Sequence, residues 1–261
     1  MARIMAVTLA LALGAAGPAS GIEATAPQAP EEGKAEKTSP TGSTKPTGTP
    51  EAVRPVSAPL TGPLYKLPKV GKPRRRVGGG RRGPAEDLPE LFTLVPEHVG
   101  LTVSAYPTLY WYIDDDAEGD LAFELTLIDD ESIQPLIDAR LAKPKSAGLQ
   151  AINLAEHGVE LAPGQEYQWS VALVVSDATR SRNVISTGWV ERVADSNGVA
   201  AQAQAAGPEG AAAVYGDAAL WYDALDSVCS RLSQDPADAR ARQQLAALLA
   251  QVGLPEVAAS P

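Results

Sequence analysis

The sequence predicts a mainly β protein in which two sheets pack face to face and a C-terminal α-helical subdomain docks on them. Three observations carry this. Eight short apolar runs separated by turn residues lie between Leu91 and Val193, the spacing of an all-β domain. Two of them alternate apolar and polar residues over their whole length, which gives a strand one buried face. Beyond about Ala200 the apolar period lengthens from that of a strand to that of a helix.

The expected strands are Leu91–Val95, Leu101–Ala105, Thr108–Ile113, Leu121–Ile128, Pro135–Leu141, Leu149–Leu154, Glu166–Val175 and Asn183–Val193. In Leu121–Ile128, Leu121, Phe123, Leu125 and Leu127 share a face. In Glu166–Val175, Tyr167, Trp169, Val171, Leu173 and Val175 do. Strands with one apolar face each bury it against a second sheet. Trp169 and Trp221 are expected as structural core residues. In the helical part, Trp221, Leu225, Val228 and Leu232 recur at helical spacing, as do Ala241, Leu245, Leu248, Leu249 and Val252. Asp235 is the expected cap of the second helix, Pro236 its first residue, and Gly253 with Pro255 its stop. The two stripes should pack as a hairpin, with Leu220 and Tyr222 left to meet the sheet.

Ahead of the fold, Arg3 and the apolar run Met5–Ala16, followed by Gly17, Ala19 and Ser20, read as a cleavable export signal over residues 1–24. Residues 25–73 hold ten of the 22 prolines and few apolar residues, and read as a disordered linker. The sandwich is expected over 74–195 and the helices over 196–261. Residues 91–261 carry 24 acidic and 9 basic side chains. That balance argues against a nucleic-acid partner, because binding phosphates needs a basic face. No later segment is apolar enough to span a bilayer. One cysteine and two histidines leave no disulfide and no metal cage of those residues. No cofactor is expected.

Leu161-Ala162-Pro163-Gly164-Gln165-Glu166-Tyr167 resembles the tyrosine corner of immunoglobulin-like and fibronectin type III domains, in which a Tyr hydroxyl bonds back to upstream backbone. Gly164 and Tyr167 are therefore expected to be structural, and the two-sheet domain to be an immunoglobulin-like β-sandwich. Ala224 and Pro236, with Trp221 and Val228 flanking Ala224, resemble the end of one tetratricopeptide repeat and the start of the next. Six segments occur in order: Arg74-Arg75-Arg76-Val77-Gly78-Gly79-Gly80-Arg81-Arg82-Gly83, Leu94–Glu97, Gly100–Thr108, Leu161–Gly164, Gly188–Val190 and Leu220–Leu225. Together they resemble the exported bacterial family called domain of unknown function 928. The resemblance implies a secreted or periplasmic protein without an assigned activity. It also implies a disulfide in relatives, whose places here hold Ala85 and Val175-Ser176.

Candidate sites are few. Gly78, Gly80 and Gly83 match a dinucleotide-binding pattern by letter, but no strand precedes them and Pro84 follows. Arg74, Arg75, Arg76, Arg81 and Arg82 either contact an anionic polymer or headgroup or lie across the protein's own acidic surface. Asp114, Asp116, Glu118 and Asp120 imitate the first half of a calcium loop, yet Leu125 stands where its bidentate carboxylate belongs. They make a weak calcium site or a solvated turn. Tyr110 and Tyr112 share the strand face opposite Leu109, Trp111 and Ile113. That face either stacks on a ligand or is covered by the helices. The expected function is a non-enzymatic interaction or binding module whose partner is a protein or cell-envelope component. The alternative is a wall or glycan hydrolase acting through Asp129, Asp130 or Glu131.

Overall fold

A computed structural model describes residues 62, 64–68, 76–77, 88–119, 121–129, 132–178, 180–254 and 257. The export signal, most of the linker, Arg74, Arg75, Arg81, Arg82, Gly78–Gly83, Asp120, Asp130 and Glu131 lie outside those residues.

Eight strands are described: β1 (Leu91–Thr93), β2 (Gly100–Thr102), β3 (Thr108–Ile113), β4 (Ala122–Asp129), β5 (Ile137–Leu141), β6 (Gly148–Asn153), β7 (Glu166–Val174) and β8 (Val184–Arg192). Each overlaps one of the expected runs, although β2 shares only Leu101 and Thr102 with the run Leu101–Ala105. A smaller sheet has the order β1-β3-β6 and a larger one β2-β8-β7-β4-β5. All pairings are antiparallel except β2 with β8, which is parallel. Alternation decides the layering. Phe123, Leu125 and Leu127 of β4 and Trp169, Val171 and Leu173 of β7 are fully buried, and they join Leu91, Trp111, Ile113 and Ile152 of the smaller sheet in one core. Trp111 and Phe123 meet across it with ring centroids 5.5 Å apart. Ser186 and Thr93 are paired there, with Ser186 Oγ accepting from Thr93 N at 2.9 Å and Thr93 Oγ1 donating to Thr187 O at 3.1 Å, whereas Trp111 Nε1 is buried without a hydrogen-bond partner among the described residues.

Three helices follow: α1 (Val199–Asp217), α2 (Trp221–Gln234) and α3 (Ala239–Gln251). α1 is additional to the expected two-helix hairpin; it is rich in alanine, with no clear apolar stripe to mark it as a separate helix. It breaks at Gly207, whose φ of 72° precedes Pro208. Proline lacks the N–H the helix ladder needs, and it drives the residue before it out of helical geometry. α3 starts later than the expected Asp235–Pro236 boundary. The Asp238 carboxylate caps it by accepting from Ala241 N at 2.9 Å, while Asp235 Oδ1 accepts from Ala237 N within the preceding turn. Asp238 also pairs with Arg231 of α2 at 2.5 Å, so contact between helices selects between two usable caps. At the other end Gly253, with φ 74°, and Leu254 return their N–H groups to Ala250 and Leu249, the glycine stop the sequence predicts.

Part of the expected linker is built into the fold. Lys66 N donates to Gly216 O at 3.0 Å, and Tyr65 is buried. The Tyr65 ring meets Trp221 edge-on at 5.0 Å, and its hydroxyl lies 2.9 Å from His98 Nε2. A run of polar residues and prolines thus contains one aromatic anchor with a site of its own.

Candidate functional site

The site grows from the junction of α2 with the outer face of the smaller sheet. In β3, Leu109, Trp111 and Ile113 face the core, so Thr108, Tyr110 and Tyr112 face outwards. α2 meets that face. Tyr110 is buried, and its hydroxyl donates to Asp226 Oδ1 at 2.7 Å. Trp221 Nε1 donates to Leu94 O at 2.8 Å. The fully buried Tyr222 hydroxyl accepts from Trp169 Nε1 and donates to Trp189 O, both at 2.9 Å. These bonds fix α2 against both sheets. Gly100 makes room: a Cβ there would stand 2.7 Å from the Tyr222 ring.

Two different spaces remain along this junction. One is a polar crevice of about 80 Å³ bounded by Thr102, Ser104, Thr108, Asn153, Asp223 and Asp226 among others. Asp223 Oδ2 accepts from Val103 N at 3.1 Å. Burial raises the Asp223 carboxyl from 3.8 to about 6, opposed by its bonds to Thr102 and Val103 and assisted by the negative charge of Asp226. The crevice holds room for a few waters. It can keep a proton at Asp223, but it is smaller than a sugar ring.

The other space is an apolar cavity of about 630 Å³. Its sheet side is Tyr110, Tyr112, Leu149 and Ala151; its helix side includes Leu232, Leu245, Ala246 and Leu249. The size lies within the range of small-molecule sites. Tyr110 and Cys229, both buried, reach it, and burial raises the pKa of each. The Cys229 side chain is therefore a neutral thiol at physiological pH. Both tyrosines singled out in the sequence line the cavity, but Tyr110 is buried under α2 with its hydroxyl on Asp226, whereas Tyr112 is half-buried.

The other expected residues are elsewhere. Tyr167 stands at the start of β7 and its hydroxyl accepts from Ala162 N at 3.0 Å, with Gly164 at φ 79° between them. Arg76, the described member of the arginine cluster, turns inward: Nη1 donates to Val95 O at 2.9 Å and Val252 O at 3.3 Å, and Nη2 to Gly253 O at 3.3 Å. Desolvation lowers its pKa, partly offset by Glu97. The acidic turn is braced by backbone from two other segments: Asp114 Oδ1 accepts from Glu90 N and Asp116 Oδ1 from Ala147 N, each at 2.6 Å. Among the described residues no group of three or more His, Cys, Asp or Glu is placed to hold a metal ion. Asp129 Oδ1 accepts from the Gln165 side chain.

Sequence reasoning missed Asp223, Asp226, Arg242 and Ala151. A signal for the first two existed: both acids fall inside the apolar stretch from Leu220 to Cys229, where a carboxylate needs a buried partner. Comparison with known proteins returns one family. The description "Domain of Unknown Function (DUF928)" matches residues 77–261. No curated protein matches the sequence.

Proposed function

The chain belongs to the DUF928 family, and from that premise we propose that it is an exported, non-enzymatic binding module of the cell envelope whose ligand site is the cavity between the β3–β6 face and the α2–α3 pair. One observation carries the reading: a preformed apolar space of about 630 Å³ opens beside Tyr112, Leu149 and Leu245. Monomeric proteins seldom leave such apolar surface without a use.

The finer architectural reading goes with it. An immunoglobulin-like sandwich is supported by the strand order, by β2 running parallel to β8 at one sheet edge, and by the Tyr167–Ala162 bond. A tetratricopeptide-like hairpin is supported by the buried Ala224 in α2 and by Pro236 in the link to α3. In both classes of module, surfaces rather than catalytic groups do the work.

The competing reading, a wall or glycan hydrolase, has less support. Asp129 is tied to Gln165. The raised carboxyl of Asp223 is the acid such an enzyme would favour, yet its crevice measures about 80 Å³.

Titration with the neutral apolar dye Nile red tests the proposal. Stoichiometric binding is expected, abolished when the cavity is filled by Ala151→Trp in a protein of unchanged melting temperature. Absence of binding, or binding equal in the variant, overturns it.

A further inference from the structure

We infer that the cavity takes a single-chain amphiphile with one anionic head group, the tail lying between Tyr112 and Leu245 and the head paired with Arg242. This rests on the binding-module reading and specifies its ligand.

Charge is the first argument. Residues 91–261 hold 24 acidic and only 9 basic side chains. Among the described residues lining the cavity there is no carboxylate, and there is one cation, Arg242. A surface so acidic would repel an anion almost everywhere. The cavity combines a positive group with apolar walls.

The placement of that charge is the second. Leu94, Tyr110, Cys229 and Leu249 are buried, so their part of the lining is closed off from water. Leu149 and Ala151 on the sheet side and Ser233, Pro236 and Arg242 on the helix side line the same cavity and are exposed. A residue that both lines a cavity and meets solvent stands where the two join. The space therefore grades from a dry apolar interior to a mouth that carries the guanidinium. Fatty carboxylates and related amphiphiles have that polarity gradient.

Hydrogen bonding is the third. The Tyr110 hydroxyl is committed to Asp226, and the Ser233 hydroxyl donates to Ser230 O at 2.8 Å. Arg242 donates to Pro236 O through Nη2. A guanidinium has five N–H donors in a planar fork suited to a carboxylate. The bond to Pro236 also restrains the arginine before any ligand arrives, which lowers the entropy lost on pairing. The cavity volume, about 630 Å³, suits one chain of moderate length rather than a two-chain membrane lipid.

The test is calorimetric titration of the mature exported protein with dodecanoate, dodecanol and dodecyltrimethylammonium, each below its micellar concentration. Dodecanoate should bind one to one, about fivefold or more tighter than dodecanol, the factor expected of one partly screened ion pair. Dodecyltrimethylammonium should bind least well. Arg242→Gln should bring dodecanoate down to the affinity of dodecanol and leave dodecanol unchanged. Ala151→Trp and Ala246→Trp, which fill the cavity from its two sides, should remove both. Equal binding of dodecanoate and dodecanol to the natural protein, or an Arg242→Gln variant that keeps the preference, overturns the anionic ligand while leaving the apolar site standing. If no amphiphile binds, or if both tryptophan variants melt normally and bind as the natural protein does, the cavity is not a ligand site and both readings fall.

Discussion

Tyr167 ties the start of β7 to the preceding loop through one hydrogen bond, Ala162 N to the phenolic oxygen at 3.0 Å. Tyr167→Phe leaves that N–H without its acceptor and should cost about 1–2 kcal/mol, read as a lower urea midpoint with an unchanged slope. Neither Ala162 nor Tyr167 lines the cavity, so dye binding by the folded fraction should persist. Asp223 makes a prediction with a definite sign. Burial pushes its carboxyl up to about 6 in the fold, from an ordinary 3.8. Between those values the folded chain holds a proton that the unfolded chain has lost, so stability from this group is fullest below about pH 4 and declines as pH rises through 6. Linkage sets the loss at about 2–3 kcal/mol. Asp223→Asn does not titrate. The stability difference between the natural protein and this variant, measured in urea at pH 4 and pH 7, should therefore change by that amount in the variant's favour. A difference independent of pH would show that Asp223 is not desolvated as described.

At the scale of elements, the sheet is the legible part. Each expected strand overlaps an observed one because alternation is local: every second side chain in β4 and β7 enters the core. Helix ends are less legible because their caps compete. Asp235 and Asp238 are both competent caps, and the pairing of Asp238 with Arg231 on α2 decides the start of α3. The end of α3 depends on a residue far away in sequence. Arg76 donates to Val252 O and Gly253 O beside the last turn, placing a cation at the negative end of the helix dipole. Arg76→Ala should cost about 2 kcal/mol and speed amide exchange in residues 249–254 selectively. Uniform protection across α3 in the variant would show that the glycine stop suffices alone.

For the whole molecule, α2 is the piece on which the rest depends. Trp221 and Tyr222 are buried and hydrogen-bonded to the sheets, and Tyr65 seals Trp221 from the far side. Truncation to residues 74–199 uncovers the outer face of β3 and removes the hydroxyl partner of Trp169. Apolar surface exposed at roughly 25 cal/mol per Å² readily exceeds the margin of a small domain. The truncated chain should bind apolar dyes non-specifically and lose a cooperative melt. A soluble monomer melting like the full chain would make the helices an independent module. Export is tested apart from the fold: the N-terminal sequence of the protein recovered from periplasm or medium should begin between residues 20 and 25.

By itself the sequence determined the β-then-α order, the face of each strand that is apolar, the two helix stripes and the family likeness. These are written in short-range periodicity and in local motifs, and each survives without knowing what lies opposite. The tertiary structure alone decided that Tyr110 and Tyr112 line a cavity with Tyr110 buried under α2, that Tyr65 leaves the proline-rich stretch to enter the core, that Arg76 caps a helix, and that partial burial raises the Asp223 carboxyl. The physical reason is common to all four. A period shows which face must be buried but not which distant residue buries it, and a cavity exists only as the misfit between two surfaces brought together from opposite ends of the chain.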